Sequence, residues 1–215
     1  MKVAAPFIGG GLLLLAGLAN FTSPGAYAML QLDPGLPLTS YQASLLQADE
    51  EMTATLVNQL WAISDAAWHE GDYREAIAIE RNIVALDPKD TEAWEVMAWL
   101  SWTEYGADKA VKVLREGLSK VPERQELWAA LGMQYFRMKL YDDAIGMYQQ
   151  AVQRDAPVTT WKMLAHMLEK AGKKQEALPV WAETVKRFPE DVPAQNNYKR
   201  LISELAQGEP SPEVE

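Results

Sequence analysis

The side chains most able to support chemistry in this 215-residue chain are two histidines and a few pairs of adjacent carboxylates. His69 and His166 are far apart, and neither has a second donor at ligand spacing, as in His-x-x-x-His, so we predict no metal site. Acidic pairs such as Glu50-Glu51 fall at polar helix positions or helix starts, where carboxylates stabilise the positive end of the helix. The sequence has no cysteine, no phosphate-binding G-x-x-x-x-G-K-[ST] loop and no G-x-S-x-G nucleophile motif. It therefore predicts a protein that is not an enzyme and uses no cofactor.

A set of apolar and small residues recurs about every 34 positions. Trp94-x-x-Met97-Ala98 is followed 34 residues later by Trp128-x-x-Leu131-Gly132. Alanines recur at Ala76, Ala110, Ala144 and Ala177, prolines at Pro88, Pro122, Pro157 and Pro189, and breaks at Gly71, Gly106, Lys139 and Gly172. Within each unit the apolar residues fall at helical spacing, the small residues let two helices approach closely, and the final proline cannot continue a helix. The period therefore predicts repeated pairs of antiparallel helices.

The anchor residues of these units resemble those of the tetratricopeptide repeat family. The repeat framework comprises Trp94, Trp128, Leu131, Gly132, Tyr135, Ala144, Trp161 and Trp181. Two positions depart from the family pattern, namely Glu80 in place of an aromatic residue and Gly117 in place of alanine. The resemblance implies an all-α fold, a right-handed α-solenoid of about four helix-turn-helix repeats with N- and C-terminal capping helices. The repeats are expected at residues 57–90, 91–124, 125–157 and 158–191.

Composition and charge limit the function further. The chain is 48% hydrophobic and 23% charged, enough for one ordinary core, so a single solenoid domain accounts for it. A net charge of −10 argues against binding nucleic acid through its phosphates, which requires a surface rich in lysine and arginine. The acidic balance is typical of a soluble protein that selects basic or neutral partners, and it leaves the oligomeric state open.

The first 28 residues have the parts of an export signal. Lys2 precedes an uncharged stretch at residues 3–19, and Ala26-Tyr27-Ala28 supplies the small-x-small end of a secretory signal peptide, so we expect cleavage after Ala28. One alternative is an uncleaved membrane anchor, because 17 residues lie at the lower limit for crossing a bilayer, and another is an ordinary buried segment. A cleaved signal peptide and an uncleaved anchor would both place the repeats outside the cytoplasm, in the periplasm or cell envelope. The anchor would also associate with the membrane through residues 3–19.

The segments that flank the repeats are expected to cap them. Residues 29–56 predict an extended arm, in which paired prolines exclude a helix, followed by a capping helix that begins at Thr39 or Ser40. Residues 192–206 predict a C-terminal capping helix with a polar outer face. Residues 207–215 are too polar to bury a core and predict a disordered acidic tail.

The period also sorts the eight tryptophans into two groups. Trp94, Trp128, Trp161 and Trp181 occupy anchor positions, so they are predicted to be core residues. In the family, positions 2, 5, 9, 12 and 13 of each first helix line the concave surface, and counting from the first residue of each unit places the other four tryptophans there. The resemblance thus implies a partner-binding groove with Trp61, Asp65, Trp68, Glu95, Trp99, Trp102, Met133, Phe136, Arg137, Lys162 and His166.

This groove combines indoles with carboxylates, which suits a peptide or helix that carries apolar and basic side chains, or a proline-rich segment. The same tryptophans could instead pack against the arm, the capping helix or adjacent repeats, or they could form a small-ligand site such as a cage for a quaternary ammonium group. We favour a non-catalytic adaptor of the bacterial envelope that binds a protein or peptide partner in the groove. The alternative is a structural subunit of a membrane complex, held by an uncleaved N-terminal helix.

Overall fold

The structure is a computed structural model that describes residues 35–39, 42–43, 47 and 49–208, and within them the chain forms nine main α-helices and no strand. The helices are α1 (Glu50–Glu70), α2 (Tyr73–Leu86), α3 (Thr91–Tyr105), α4 (Ala107–Lys120), α5 (Gln125–Arg137), α6 (Tyr141–Val152), α7 (Val158–Lys170), α8 (Lys174–Arg187) and α9 (Val192–Gln207). The predicted all-α class is confirmed. The expected export signal and nearly all of the expected acidic tail lie outside the described residues.

Four of the expected unit boundaries coincide with helix starts. Helices α3, α5, α7 and α9 begin at Thr91, Gln125, Val158 and Val192. Two of these starts are capped by an aspartate, because Asp90 accepts a hydrogen bond from the Ala93 backbone N–H at 3.0 Å and Asp191 accepts one from Ala194 at 2.8 Å. The chain divides into two compact units, one that ends at Val113 and one that begins at Leu114, inside α4.

In the first unit, α1 is longer than expected. We expected a capping helix to end before a first repeat at Val57, but α1 runs without a break from Glu50 to Glu70. The start is set by Asp49, whose carboxylate accepts a hydrogen bond from the Met52 backbone N–H at 2.9 Å and caps the helix there. Residues 50–56 are therefore continuous with the first helix of the first repeat.

The expected extended arm is tied to α2. The buried amide of Asn82 accepts a hydrogen bond from the Leu38 backbone N–H at 2.8 Å and donates one to the Leu36 carbonyl at 2.9 Å. Thr39 makes the expected capping contacts, since its hydroxyl accepts from the Gln42 backbone N–H at 3.2 Å and its own N–H donates to Gln42 Oε1 at 2.9 Å. The expectation of one helix from there to the first repeat is wrong, because Asp49 is non-helical and caps the separate helix α1. The arm thus lies along a second helix of a repeat.

All four predicted breaks lie between the two helices of a repeat and have positive φ: Gly71 (81°), Gly106 (88°), Lys139 (61°) and Gly172 (74°). After three of them, the next amide donates to the carbonyl five residues back, as Asp72 does to Ala67, Leu140 to Tyr135 and Lys173 to Leu168. Lys139 is the non-glycine residue that adopts this left-handed conformation within the described chain.

Replacing Lys139 with glycine is expected to raise the free energy of unfolding by about 1 kcal/mol, because an L-residue is destabilised by roughly that amount in the left-handed region. Gly71→Ala should lower it by a similar amount, since a Cβ there meets no atom within 4 Å and only the backbone conformation is penalised. Urea unfolding of both variants and the parent measures the two changes. A less stable Lys139→Gly variant would contradict the strain argument.

The small residues of the period are buried where paired helices meet. Ala98 is 1% exposed, and Ala110, Ala144, Ala165 and Ala177 are fully buried. At Gly132 on α5 the approach leaves no room for a side chain, because a Cβ added there would lie 2.8 Å from Cδ2 of the Tyr148 ring on α6. The predicted close packing of the paired helices is confirmed.

The framework tryptophans bond to the prolines that end the preceding units. Nε1 of Trp94 donates to the Pro88 carbonyl at 3.0 Å, and Nε1 of Trp128 donates to the Pro122 carbonyl at 2.9 Å. Of the four predicted core tryptophans, the structure buries Trp94, Trp161 and Trp181 and leaves Trp128 half-buried. In the second and third repeats, the recurring tryptophan therefore makes the same hydrogen bond to the recurring proline.

Helix α9 covers the last repeat, as expected, with Leu201 fully buried. Its polar face, which we expected to face solvent, forms ion pairs. Glu204 is half-buried and accepts from Lys174 Nζ at 3.0 Å and from Arg200 Nη1 at 2.6 Å. The Lys174–Glu204 pair joins the capping helix to α8, and the Arg200–Glu204 pair lies within α9.

Candidate partner-binding surface

Two tryptophans of the first unit are exposed to solvent. Trp68 on α1 and Trp99 on α3 keep 41% and 42% of their surface exposed. Asp65 and Glu95 are also exposed and precede these tryptophans by three and four residues, a spacing that puts each carboxylate and indole on one helix face. The first unit therefore presents the same combination, a carboxylate beside an exposed indole, on each of its two first helices.

His69 lies against Trp68 at the end of α1. The two ring centroids are 4.6 Å apart and the rings are nearly perpendicular, at 85°. The imidazole Nδ1 is 2.8 Å from the Asp65 carbonyl oxygen and 3.5 Å from its carboxylate. Both side chains are more than half exposed, so this pair contributes little to stability, and its effect is to orient the imidazole beside Trp68.

Trp61 and Trp102, which we predicted to belong to the same displayed group, are half-buried. Nε1 of Trp61 donates a 2.9 Å hydrogen bond to Oδ2 of Asp90. The other oxygen of Asp90 accepts from the Ala93 backbone N–H and caps α3. The only polar group of the Trp61 side chain is therefore used within the first unit, between its two repeats.

Lys162 makes the corresponding contact in the second unit. Its Nζ donates to Oδ2 of Asp191 at 2.8 Å, and Asp191 caps α9 through the Ala194 backbone N–H. The hydrogen bond from Lys162, followed by that from Ala194, holds the pKa of Asp191 below its ordinary value. Trp61 and Lys162 both stand at position 5 of their units and both bond the capping aspartate 29 residues later. In these two repeats, position 5 therefore connects the repeat to the helix that follows it, α3 for Trp61 and the capping helix α9 for Lys162.

His166, also in the second unit, stacks its ring edge on the buried Trp181, with centroids 4.9 Å apart at 82°. Trp181 Nε1 donates to Glu169 Oε1 at 2.7 Å, and the second oxygen of Glu169 accepts from Arg200 Nη2 at 2.7 Å. The residue is exposed overall, but partial burial of its ring lowers the pKa of His166; Glu169 opposes this shift, and Arg200 and Lys162 add to it. The imidazole therefore favours its neutral form.

The remaining predicted residues of the second unit offer little free apolar surface. Met133 and Phe136 are half-buried, and the Phe136 ring packs on Tyr141 with centroids 5.8 Å apart. Arg137 is exposed. All eleven predicted groove residues are described, and among them Trp68 and Trp99 are the exposed large hydrophobic residues.

The arrangement of these side chains suits non-covalent recognition. Among the described residues, no group of three or more histidines, aspartates and glutamates is placed to hold a metal ion. Within the same part of the chain, no helix has both the length and the apolar character needed to cross a membrane. Exposed indoles beside carboxylates provide large contact areas together with hydrogen-bond acceptors, which is how protein partners are bound.

The helix pairs and their repeated anchors define an all-α helical-repeat protein. No protein-family model matches the chain, and no curated protein matches it in sequence. Among solved structures, it is similar in fold to MamA, at 17% identity and a TM-score of 0.55 over 72% of this chain and 84% of that one. It is also similar to TTC0263, a thermophilic TPR protein of Thermus thermophilus, at 18% identity and a TM-score of 0.53 over 89% and 95% of the two chains.

A third similar structure contains the TPR-like repeats of a Podospora anserina kinesin light chain protein, at 15% identity and a TM-score of 0.52 over 70% of this chain and 87% of that one. Identities this low establish the architecture alone. The chain therefore has the fold seen in solved tetratricopeptide-repeat structures, an all-α repeat solenoid.

Proposed function

We propose that the chain is a non-catalytic adaptor that binds a protein or peptide partner through Trp68 and Trp99. The observation that carries this proposal is their exposure, 41% and 42%, in a chain that buries Trp94, Trp161 and Trp181. Tryptophan is enriched among the residues that dominate binding energy, because a large rigid apolar face loses little conformational entropy on contact. The two indoles stand at different positions, 12 and 9, of adjacent repeats, and each lies beside a carboxylate, a combination that favours a binding role.

The charges beside the indoles indicate the chemistry of the partner. Asp65 and Glu95 place a carboxylate next to each exposed tryptophan. A lysine or arginine of the partner could pair with the carboxylate while its aliphatic part covers the indole face. We therefore propose a peptide or helix with alternating basic and apolar side chains as the ligand of this surface. The similar MamA and TTC0263 folds support a recognition role at the level of architecture.

The double variant Trp68→Ala plus Trp99→Ala tests this function. It should weaken partner binding at least tenfold, because each truncated hot-spot tryptophan is expected to cost about 1 kcal/mol or more. Proteins from a bacterial envelope extract would be captured on the immobilised parent chain, identified by mass spectrometry, and the affinity of each for the parent and the variant would be measured. The melting curve should stay nearly unchanged, since both side chains are exposed.

A matched control removes two exposed apolar residues elsewhere, Leu140→Ala plus Ile202→Ala, which are 42% and 43% exposed. This control should bind the partner as the parent does. Equal binding by all three proteins, or unfolding of the tryptophan double variant, would reject the proposed surface.

We further propose that the chain acts outside the cytoplasm. The support is in the sequence, where Lys2, the uncharged residues 3–19 and Ala26-Tyr27-Ala28 have the order of an export signal. The competing proposal, a scaffold subunit anchored in a membrane complex, rests on the same uncharged stretch left uncleaved. N-terminal sequencing of soluble and membrane fractions separates them. A chain that begins at Met29 in the soluble fraction supports the adaptor, and an intact Met1 in membranes supports the anchored subunit.

A further inference from the structure

A cavity of about 680 Å³ lies in the first unit, between α2 and the start of α4. It is lined by Pro37, Arg74, Ile77, Ala78, Arg81, Tyr105, Asp108, Lys109 and Lys112. Its apolar part consists of the half-buried Ile77 and Ala78 together with Tyr105, which is 49% exposed although it is aromatic. None of the predicted groove residues lines this cavity, so it is a separate feature of the first unit.

The charge of this cavity is opposite to that of the chain. Four of its lining residues are cationic and one, Asp108, is anionic, in a chain whose net charge is −10. Lys109 and Lys112 are exposed, lie one helical turn apart on α4, and form no ion pair within the described residues. Asp108 and Glu104, which pairs with Arg74, offset part of this charge, and the two lysines add positive charge beside an apolar wall that attracts an anionic ligand.

The two arginines are held in place by neighbouring residues. Nε of Arg74 donates to Oε2 of Glu104 at 2.9 Å, and the guanidinium of Arg81 lies 5.8 Å from the centroid of the Trp94 ring. Guanidinium groups positioned in this way lose less conformational entropy when a carboxylate binds. The α2 side of the cavity is therefore preorganised, while the lysines on the α4 side can adjust to the ligand.

A short segment of the chain's own backbone already lies at the edge of this cavity. Asn82 bonds the backbones of Leu36 and Leu38, and the residue between them, Pro37, contributes to the cavity wall. Asn82 on α2 thus holds a short backbone segment through both polar atoms of its amide, next to a cavity with cations and an apolar floor. That combination matches a peptide in which carboxylates flank an apolar side chain, and inorganic phosphate would leave the apolar floor uncovered.

We infer that this cavity is a second binding site, which takes an acidic, extended peptide segment of a partner protein. Carboxylates of the peptide pair with Lys109 and Lys112, and an apolar side chain between them packs on Ile77 and Tyr105. The site is independent of the tryptophan surface and has the opposite charge preference. The adaptor then binds a basic segment at one surface and an acidic segment at the other.

Fluorescence anisotropy with the labelled peptide Glu-Val-Glu-Pro-Glu-Val-Glu tests this site, with Gln-Val-Gln-Pro-Gln-Val-Gln as the uncharged control peptide. Lys109→Glu plus Lys112→Glu should weaken binding of the acidic peptide at least about tenfold, because two attractive charges become repulsive. Lys170→Glu plus Lys199→Glu makes the same change in net charge at exposed lysines outside the cavity and should change binding less than about twofold at moderate salt. Tyr105→Ser should weaken binding about threefold through loss of apolar contact.

The Trp68→Ala plus Trp99→Ala variant should bind the acidic peptide as the parent does, which separates this site from the proposed function. Inorganic phosphate at matched ionic strength should not displace the peptide, and phosphatidylglycerol vesicles should not sediment the protein. Equal weakening by the two lysine double variants, equal binding of the glutamine peptide, or displacement by phosphate would overturn the inference. Sedimentation with the vesicles would overturn it in favour of a lipid surface.

Discussion

Replacing Glu80 with glutamine is expected to remove about 3 kcal/mol of pH-dependent destabilisation between pH 4 and pH 8. Glu80 lies on α2 in the interior of the first unit and is fully buried. One carboxylate oxygen accepts from the Ser64 hydroxyl at 2.6 Å, and the other has no hydrogen-bond partner in the described structure. A buried carboxylate with one unpartnered oxygen is strongly disfavoured in its charged form.

The direction of the effect follows from the pKa. Burial raises the pKa of Glu80 from 4.5 to about 7; the Ser64 hydrogen bond opposes this shift, and the nearby carboxylates of Asp90 and Glu92 add to it. Between these two pH values, the folded protein holds a proton on Glu80 that the unfolded chain has lost, so the free energy of unfolding falls as the pH rises. Below about pH 4 both states are protonated, and above pH 7 the full penalty is present.

Urea unfolding at a series of pH values from 4 to 8 measures this difference between the parent and Glu80→Gln. Glutamine keeps a carbonyl oxygen for the Ser64 hydroxyl and has no proton that titrates in this range. The free energy of unfolding of the Glu80→Gln variant should therefore fall about 3 kcal/mol less than that of the parent from pH 4 to pH 8. Glu70→Gln, at an exposed residue near the end of α1, is the control and should follow the parent. Parallel curves for the parent and Glu80→Gln would show that Glu80 does not ionise within this window.

The repeated fold could be predicted because its contacts are local in sequence. The residues that bring paired helices together, such as Ala98, Gly132 and Ala165, recur with the period, and so do the breaks with positive φ. A 34-residue unit needs only its neighbours to bury its apolar face, so the period contains most of the packing information. For the same reason the helix starts at Thr91, Gln125 and Val158 could be read from the sequence.

The candidate site could be predicted only in part, because position in a helix does not determine how a side chain is used. Trp61 and Lys162 stand at groove positions, yet each bonds the aspartate that caps the second helix after its own. That choice depends on a carboxylate 29 residues away, which a count of helix positions does not include. Glu80 was recognisable as a departure from the family pattern, but its hydrogen bond to Ser64 depends on the packing of α1 against α2.

The start of α1 illustrates the same limit. When the period is shifted back by one unit, Asp49 falls where a further repeat would need a packed alanine. Its carboxylate instead caps a 21-residue helix through the Met52 backbone N–H. Aspartate favours a helix N-cap over a helix interior, whereas the predicted capping helix, which began at Thr39 or Ser40, placed Asp49 in its interior.

Two glycine substitutions should shift stability in opposite directions, with a difference of about 3 kcal/mol between them. Gly132 and Gly146 both lie inside helices, α5 and α6, where alanine is intrinsically favoured by about 1 kcal/mol. At Gly146 a Cβ meets nothing within 4 Å, so Gly146→Ala should stabilise the protein by about that amount. At Gly132 the Cβ would lie 2.8 and 2.9 Å from two ring carbons of Tyr148 and 3.3 Å from the Ala144 carbonyl oxygen.

Gly132→Ala should therefore destabilise the protein by about 2 kcal/mol despite the gain in helix propensity, because the buried Tyr148 ring has little room to move. Urea unfolding of the two single variants gives both values under identical conditions. Combining Gly132→Ala with Tyr148→Leu tests the cause, since removing the ring should make the alanine less costly and the two effects non-additive. A Gly132→Ala variant as stable as Gly146→Ala would mean that α5 and α6 can separate without loss, and that the small residues of the period do not set the helix spacing.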